Sequence, residues 1–182
     1  MKDCEQTPKT VYLNGCMGVG KSHILAAVVC ALRKSGERVL YLPDCKEFLS
    51  TPFSYLQHAF AAAFADDAEK LLVVDTCTTD QELLGFSGSL PTQGIRMFVV
   101  VDQVNVLDQD SPGNHSLRDK ARVTTLIAEL GFNHYLVKSS SANFELAIQA
   151  RATQENVTKI NLFEGLDDVS CYVLSFNTPI LN

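Results

Sequence analysis

The sequence predicts an α/β fold in three layers, with helices on both faces of a parallel sheet. Short runs rich in β-branched and aromatic residues alternate along the chain with stretches whose apolar residues recur at helical spacing. A glycine-rich loop joins the first of these runs to the first amphipathic stretch. Because strands that alternate with helices form parallel sheets through right-handed crossovers, this order predicts the three-layer α/β class.

The composition suits one folded domain. The chain has 182 residues, of which 46% are hydrophobic and 20% are charged, so we expect a single domain over residues 1–182. A formal charge of −6 argues against direct nucleic-acid binding, and no apolar run is long enough to cross a membrane. The N-terminus lacks the apolar core of a signal peptide, which predicts either a cytoplasmic protein or a chain without its targeting segment. The six cysteines and four histidines show neither metal-ligand nor disulfide spacing.

The local pattern defines the elements in chain order. Runs typical of strands occupy residues 10–13, 38–43, 96–102, 134–138 and 158–163. Helical periodicity covers residues 23–34, 53–66, 117–130 and 145–151. Gly36 and Gly131 follow two of these helices as stop signals. Glycine-rich and polar stretches predict loops over residues 85–94 and 108–116.

The first loop carries the most specific motif of the chain. Residues 15–22, Gly-Cys-Met-Gly-Val-Gly-Lys-Ser, match the phosphate-binding P-loop pattern G-x-x-x-x-G-K-[ST], between a predicted strand and a predicted helix. Backbone N–H groups would surround the β-phosphate, Lys21 would neutralise the β- and γ-phosphates, and Ser22 would ligate Mg²⁺. We therefore predict a P-loop NTPase fold, with these nucleotide-binding residues: Gly15, Gly18, Val19, Gly20, Lys21, Ser22 and His23.

Two acidic residues compete as the second Mg²⁺ ligand of such a site, beside Ser22. Asp102 ends the apolar run over residues 98–101, and a polar loop follows it. Asp75 ends a similar run over residues 71–74, but that run could equally continue a helix from upstream. The stronger β-pattern favours Asp102 as the metal ligand.

The residue after Asp102 bears on catalysis. Many ATPases of this layout have a glutamate there that activates the attacking water, whereas this chain has Gln103. An amide takes no proton at neutral pH, although it can orient a water, so the sequence supports nucleotide binding better than hydrolysis. We predict Lys21, Asp102 and Gln103 as the catalytic residues. A polar cap of the strand is the alternative role of Gln103.

Polar residues also follow the predicted strand over residues 134–138. In P-loop NTPases of the additional-strand type, which include the AAA-like ATPases, an extra strand lies between the P-loop strand and the Mg²⁺ strand. A polar residue at its end can sense the γ-phosphate. We predict this type of fold, with Ser140 and Asn143 as candidates for that contact. The sequence equally supports Ser141 and Asn143 as N-caps of the next helix.

The sequence favours ATP over GTP. A GTPase would show D-x-x-G after the Mg²⁺ strand and N-K-x-D later, but Asp102 is followed by Gln-Val-Asn, and residues 105–108 lack the lysine. We therefore expect ATP and Mg²⁺ as the cofactors. Arg118, Lys120 and Arg122 lie on one predicted helix with an aspartate, which is more typical of a solvated face than of an arginine finger.

With these positions assigned, the chain resembles the NTPase module of Crinkler-type effectors, which are related to the retrotransposon-hot-spot proteins. The resemblance extends over residues 12–165. Beyond the P-loop, four segments carry it: Arg-Val-Leu-Tyr-Leu-Pro-Asp-Cys at 38–45, the Ala-Phe-Ala-Asp-Asp end of 59–67, Phe-Val-Val-Val-Asp-Gln-Val-Asn at 98–105, and Ser-Ser-Ser-Ala-Asn at 139–143.

The resemblance implies a secreted effector that enters host cells and often the nucleus, with the NTPase module ahead of a nuclease-like or kinase-like domain. In that family a Gln follows the Mg²⁺-strand Asp, which supports Asp102 over Asp75. Full-length members have an N-terminal ubiquitin-like header and a toxic C-terminal domain, so we expect a module shortened at both ends. Its role would be a nucleotide-dependent switch, with a nucleotide as ligand and with self-association or a host protein as further contacts.

Two other functions remain open. A small-molecule or nucleotide kinase shares the P-loop, but it needs an arginine-rich lid, and Arg151 is the only arginine after Arg122. A binding-only scaffold follows if Gln103 has ended turnover. Measuring phosphate release separates this scaffold from an ATPase.

Overall fold

The computed structural model describes residues 10–15, 17–109, 111, 115–140 and 157–162. Its strands are β1 (Thr10–Gly15), β2 (Arg38–Leu42), β3 (Met97–Val101), β4 (Tyr135–Ser140) and β5 (Val157–Leu162). Its helices are α1 (Lys21–Lys34), α2 (Cys45–Ser50), α3 (Pro52–Ala63), α4 (Ala68–Thr76), α5 (Asp80–Ser89) and α6 (Leu117–Phe132), with 3₁₀ turns at Leu90–Gln93 and Val104–Leu107. None of the helices described is both long and apolar enough to span a membrane.

The five strands form one parallel sheet in the order β2-β3-β4-β1-β5. The strand that leads into the glycine-rich loop, β1, is therefore separated from β3 by β4. This order confirms the predicted parallel sheet and places an additional strand between the P-loop strand and the strand that ends before Asp102. The carboxyl ends of β1, β3 and β4 consequently meet at one edge of the sheet, where ligands of open α/β sheets bind.

Two apolar clusters pack on opposite faces of the sheet and give the three layers. On one face α1 covers the sheet with Ile24, Leu25 and Val29, which pack against β-strand residues such as Val100 and Val137. On the other face the remaining helices form the larger cluster, which includes Phe48, Phe60, Phe64, Leu83, Leu126 and Leu130. The alternation of apolar strand residues between the two clusters is the pattern of a sheet buried on both sides.

The predicted loop over residues 85–94 is wrong, because α5 continues to Ser89 and a 3₁₀ turn follows. Leu83, Phe86 and Leu90 are all buried, and their spacing places them on one side of a helix. Thr79 and Glu82 form a capping box that fixes the start of α5. Packing and capping here outweigh the low helix propensity of the glycines, which misled the sequence prediction.

The helix predicted to stop before Gly131 instead continues to Phe132. A Cβ atom at residue 131 would lie 2.6 Å from Cδ2 of Leu136, so this glycine allows the end of α6 to pack closely against β4. The helix predicted over residues 145–151 lies outside the residues that the structure describes. Among the other differences, α1 begins two residues before the predicted start, and α2 was not predicted.

Candidate functional site

The glycine-rich loop runs from the end of β1 to the first residue of α1, as predicted. Gly18 and Gly20 have φ angles of +87° and +85°, in the left-handed region where other residues are strained. Gly20 is the N-cap of α1 and makes no side-chain capping bond, and the first turn of the helix carries no acidic residue. The backbone N–H groups of this turn therefore face the loop without a carboxylate from their own helix, an arrangement that suits a bound anion.

Gly15 lies where β1 and β5 approach each other closely. A Cβ atom here would lie 2.5 Å from the carbonyl oxygen of Leu162 and 3.0 Å from Cγ2 of Val19. The first glycine of the motif is thus required by packing against the neighbouring strand, and it sets the point at which the loop leaves the sheet.

Lys21 is buried at the mouth of the loop, with 6% of its surface exposed. Its Nζ donates a hydrogen bond of 2.9 Å to the carbonyl oxygen of Gly15. A buried ammonium group needs charged or polar partners. Its place next to the loop and the start of α1 allows it to neutralise an anion held by the loop.

Asp102 follows β3 directly and is buried, with 3% exposed. Its N–H donates to the carbonyl oxygen of Leu42 at 2.9 Å, and its Oδ1 accepts the N–H of Gln103 at 2.8 Å. Burial, and next the Asp102 carboxylate, raise the pKa of the Cys45 thiol to about 12. Asp75, by contrast, is exposed on α4 and ends no strand of the described sheet. The structure therefore places Asp102, and not Asp75, at the sheet edge beside the loop.

The predicted metal ligands have the chemistry that Mg²⁺ requires. Ser22 has a hydroxyl on the first turn of α1, and Asp102 has a carboxylate whose Oδ1 accepts the Gln103 N–H. Mg²⁺ takes oxygen ligands and is usually held by one or two protein groups together with phosphates and waters. Across the described residues no group of three His, Cys, Asp or Glu side chains could hold a metal by itself. The two oxygen donors therefore fit a Mg²⁺ ion that the nucleotide brings with it.

Gln103 has a φ angle of +59°, and within the described part of the chain it is the one residue other than glycine with a positive φ. It caps the 3₁₀ turn Val104–Leu107 and is half-buried. Such a conformation costs about 1–2 kcal/mol for an L-residue, and strain of this kind clusters at functional sites. Both predicted roles of Gln103, strand cap and water orientation, are compatible with this position.

The end of β4 lies between the loop strand and the Asp102 strand. Ser139 and Ser140 are both buried, and neither hydroxyl has a hydrogen-bond partner within the described ranges. Ser140 lies beside Asn14 of β1 in the strand register. Asn143 and Ser141 lie outside the described residues, so the structure tests neither their contact with the γ-phosphate nor their capping role.

Ser139 and Asn14 also lie at this edge, but neither was among the predicted site residues. Asn14 is fully buried and precedes Gly15, but the predicted strand stopped at residue 13. A signal was present, since Asn14 and Ser139 are polar residues that extend apolar strand patterns. His23, predicted to contact phosphate, is exposed on α1 beside Ser22.

The charged residues of α6 differ in their surroundings. The expected solvated face is wrong for Lys120, which is 5% exposed and whose Nζ donates to the carbonyl oxygens of Asp108 and Ser111. Lys120 thereby ties the loop after β3 to the helix. Arg122 pairs with Asp80 of α5 through its Nε at 3.1 Å, and Arg118 is exposed.

The chain matches no protein-family model and no curated protein. Among solved structures it is similar to the ORC2 protein of Aeropyrum pernix, with 13% identity and a TM-score of 0.45 over 85% of this chain and 42% of that chain. It is also similar to a DNA replication initiation factor, with 14% identity and a TM-score of 0.42 over 93% of this chain and 43% of that chain. A third similar structure is PCH-2 of C. elegans, with 14% identity and a TM-score of 0.41 over 84% of this chain and 36% of that chain. The chain spans less than half the length of each.

The fold is established by the chain's own geometry, independently of these distant structures. A P-loop motif connects a parallel strand to a helix, and β4 separates that strand from the one that ends before Asp102. The chain has the fold of the P-loop NTPases, of the additional-strand type.

Proposed function

We propose that the chain binds ATP with Mg²⁺ and hydrolyses it. The observation that carries this proposal is the position of Lys21, whose buried ammonium group is bonded to the Gly15 carbonyl at the mouth of the loop. A phosphate group that enters the loop would meet this charge together with the N–H groups at the start of α1. A lysine buried at that point has an evident use in neutralising a polyphosphate.

Different residues of the site would bind the phosphates, hold Mg²⁺ and orient the attacking water. The glycines at 18 and 20 give the loop the curvature that turns N–H groups toward a phosphate. The hydroxyl of Ser22 and the carboxylate of Asp102 would hold Mg²⁺, which when bound neutralises charge on the β- and γ-phosphates. Gln103 would orient the attacking water without taking its proton, and Ser140 would sense the γ-phosphate, directly or through a bound water. Preference for adenine rests on the absence of guanine-specific motifs from the sequence.

The biological setting follows from the resemblance to Crinkler-type effectors. We propose that the chain is the NTPase module of such an effector, secreted and active in the host cell or its nucleus. The support for this is the set of segments over residues 38–45, 59–67, 98–105 and 139–143. In that setting ATP would control an attached domain or the assembly of several copies.

The test of the P-loop assignment is ATP binding by the Lys21→Ala variant. We expect ATP affinity to fall at least tenfold while the variant stays folded, because Lys21 contributes charge at the loop. The matched control is Lys34→Ala, which removes an exposed lysine from the last turn of the same helix and should bind ATP as the wild type does. Unchanged affinity in a folded Lys21→Ala protein would refute the assignment.

A binding-only scaffold is the second candidate, and one observation favours it. Gln103 stands where a carboxylate would activate water, so the described site has no general base at that position. A scaffold would bind ATP and Mg²⁺ with the same residues but release no phosphate. Single-turnover measurement of phosphate release with enzyme in excess over ATP separates the two functions.

A further inference from the structure

Three buried polar atoms at the carboxyl edge of the sheet lack a hydrogen-bond partner in the part of the chain that the structure describes. They are Oδ1 of Asn14 and the hydroxyl oxygens of Ser139 and Ser140. A buried polar atom without a partner is destabilising, and native proteins retain few of them. Unpartnered atoms of this kind, at the edge where the P-loop begins, therefore indicate places for ordered water or a ligand.

Two of these residues face each other across neighbouring strands. Asn14 of β1 and Ser140 of β4 are register partners in a parallel pair, and their exposed fractions are 0% and 1%. Their side chains lie on the face opposite α1, because Leu13, the neighbour of Asn14, packs in the α1 cluster. Ser139 lies on the α1 face. We call the space between Asn14 and Ser140 the β1–β4 slot.

The slot lies at the carboxyl end of β1, from which the phosphate-binding loop starts. Asn14 immediately precedes Gly15, whose carbonyl oxygen accepts the Lys21 ammonium. The Nδ2 of Asn14 donates to Oδ1 of Asn161 on β5 at 3.4 Å, and this contact leaves Oδ1 of Asn14 as the atom directed elsewhere. The slot thus offers one acceptor from Asn14 and one hydroxyl from Ser140 beside the phosphate-binding loop.

We propose that the β1–β4 slot holds an ordered water that links Asn14 to the γ-phosphate and makes the site prefer a nucleoside triphosphate to a diphosphate. The water donates one hydrogen to Oδ1 of Asn14 and accepts the hydroxyl hydrogen of Ser140. Its second hydrogen is then available to a γ-phosphate oxygen, which a diphosphate lacks. Asn14 is in this account a positioning residue. The inference rests on the proposed function, namely that the P-loop binds ATP.

The experiment compares two affinities of the 182-residue chain in the presence of Mg²⁺, one for the β,γ-imido analogue of ATP and one for ADP. Asn14→Leu keeps a similar volume but removes the amide. The removed Oδ1 has no partner, and the bond from Nδ2 to the exposed Asn161 is long at 3.4 Å, so this variant should remain folded. We expect it to lose about tenfold in affinity for the triphosphate analogue, with ADP affinity unchanged. Asn161→Leu is the matched control, since it removes the contact to Nδ2 but leaves Asn14 in place, and it should keep the wild-type ratio.

The outcomes separate this inference from the proposed function. If Asn14→Leu keeps the wild-type ratio of the two affinities, or lowers both affinities equally, the water-mediated contact of Asn14 with the γ-phosphate is refuted while ATP binding stands. An equal change of ratio in Asn161→Leu would also overturn it, because the contact between the two asparagines would then be responsible. A wild-type chain that binds neither nucleotide overturns the proposed function and this inference together.

Discussion

The Lys21 Nζ lies 2.9 Å from the carbonyl oxygen of Gly15, so the lysine of the loop is bonded back to the residue where the loop begins. This bond keeps a positive charge beside the N–H groups at the start of α1. A phosphate that replaces the carbonyl as partner would bind without a large movement of the side chain.

The first prediction concerns the metal ligand. Asp102→Asn removes the charge but keeps an oxygen that can accept the Gln103 N–H, so the local fold should persist. We expect the gain in ATP affinity on adding Mg²⁺ to fall by about tenfold, or ~1.4 kcal/mol. The control is Asp75→Asn on the exposed face of α4, which should behave as the wild type. The reverse ranking, measured by titration with and without Mg²⁺, would transfer the metal role to Asp75.

The second prediction uses the strained backbone of Gln103. Gln103→Gly removes the amide and also suits the φ angle of +59°, so the protein should be as stable as the wild type or slightly more stable. If the amide orients water, phosphate release should fall roughly 100-fold, the scale expected for a misplaced reactant, while ATP affinity stays the same. Full turnover in this variant would leave Gln103 only the role of a cap.

The third prediction compares a glycine that is closely packed, Gly131, with one that has open space around it, Gly85. Gly131→Ala would bring a Cβ to 2.6 Å from Cδ2 of Leu136, so we expect a loss of about 1–3 kcal/mol in the free energy of unfolding. Gly85→Ala in α5 has nothing within 4 Å of the new atom and should stabilise the protein by about 0.5–1 kcal/mol. Urea unfolding of both variants checks the pair. Equal effects would contradict the packing of α6 against β4.

The fourth prediction concerns the buried His134. Its Nδ1 accepts the Met97 N–H at 3.3 Å, so its Nε2 carries the hydrogen, 3.2 Å from the carbonyl oxygen of Ser87. Burial, and then the charge of Arg96, lower the pKa of His134 below its ordinary value of 6.5. The unfolded chain therefore binds a proton that the folded protein does not as the pH falls below 6.5.

The neutral His134 should thus contribute its whole stabilisation to the free energy of unfolding above pH 6.5. This contribution should decline as the pH falls through the lowered pKa of His134. Urea unfolding between pH 7.5 and pH 5 measures the slope. His134→Gln should flatten it, whereas His58→Gln, which replaces an exposed histidine of α3, should leave it unchanged. If the free energy of unfolding of His134→Gln still declines with the same slope between pH 7.5 and pH 5, groups other than His134 cause the pH dependence.

The sequence was most informative where a chemical constraint is local. The P-loop pattern predicted the turn between β1 and α1, and the apolar run before Asp102 predicted β3, because both signals lie within a few residues. Predictions from the sequence were wrong or incomplete where tertiary packing determines the local structure. The glycines of α5 suggested a loop, but Leu83 and Phe86 bury one side of a helix. Asn14 and Ser139 were missed because their importance depends on strand neighbours distant in sequence.

The central claim, an ATP site built on the P-loop, is tested most directly by one measurement. The wild-type chain is titrated with ATP and with GTP, with and without Mg²⁺, and phosphate release is followed on the same sample. The account predicts Mg²⁺-dependent binding that favours ATP, followed by phosphate release. Absence of nucleotide binding to a folded sample would contradict it.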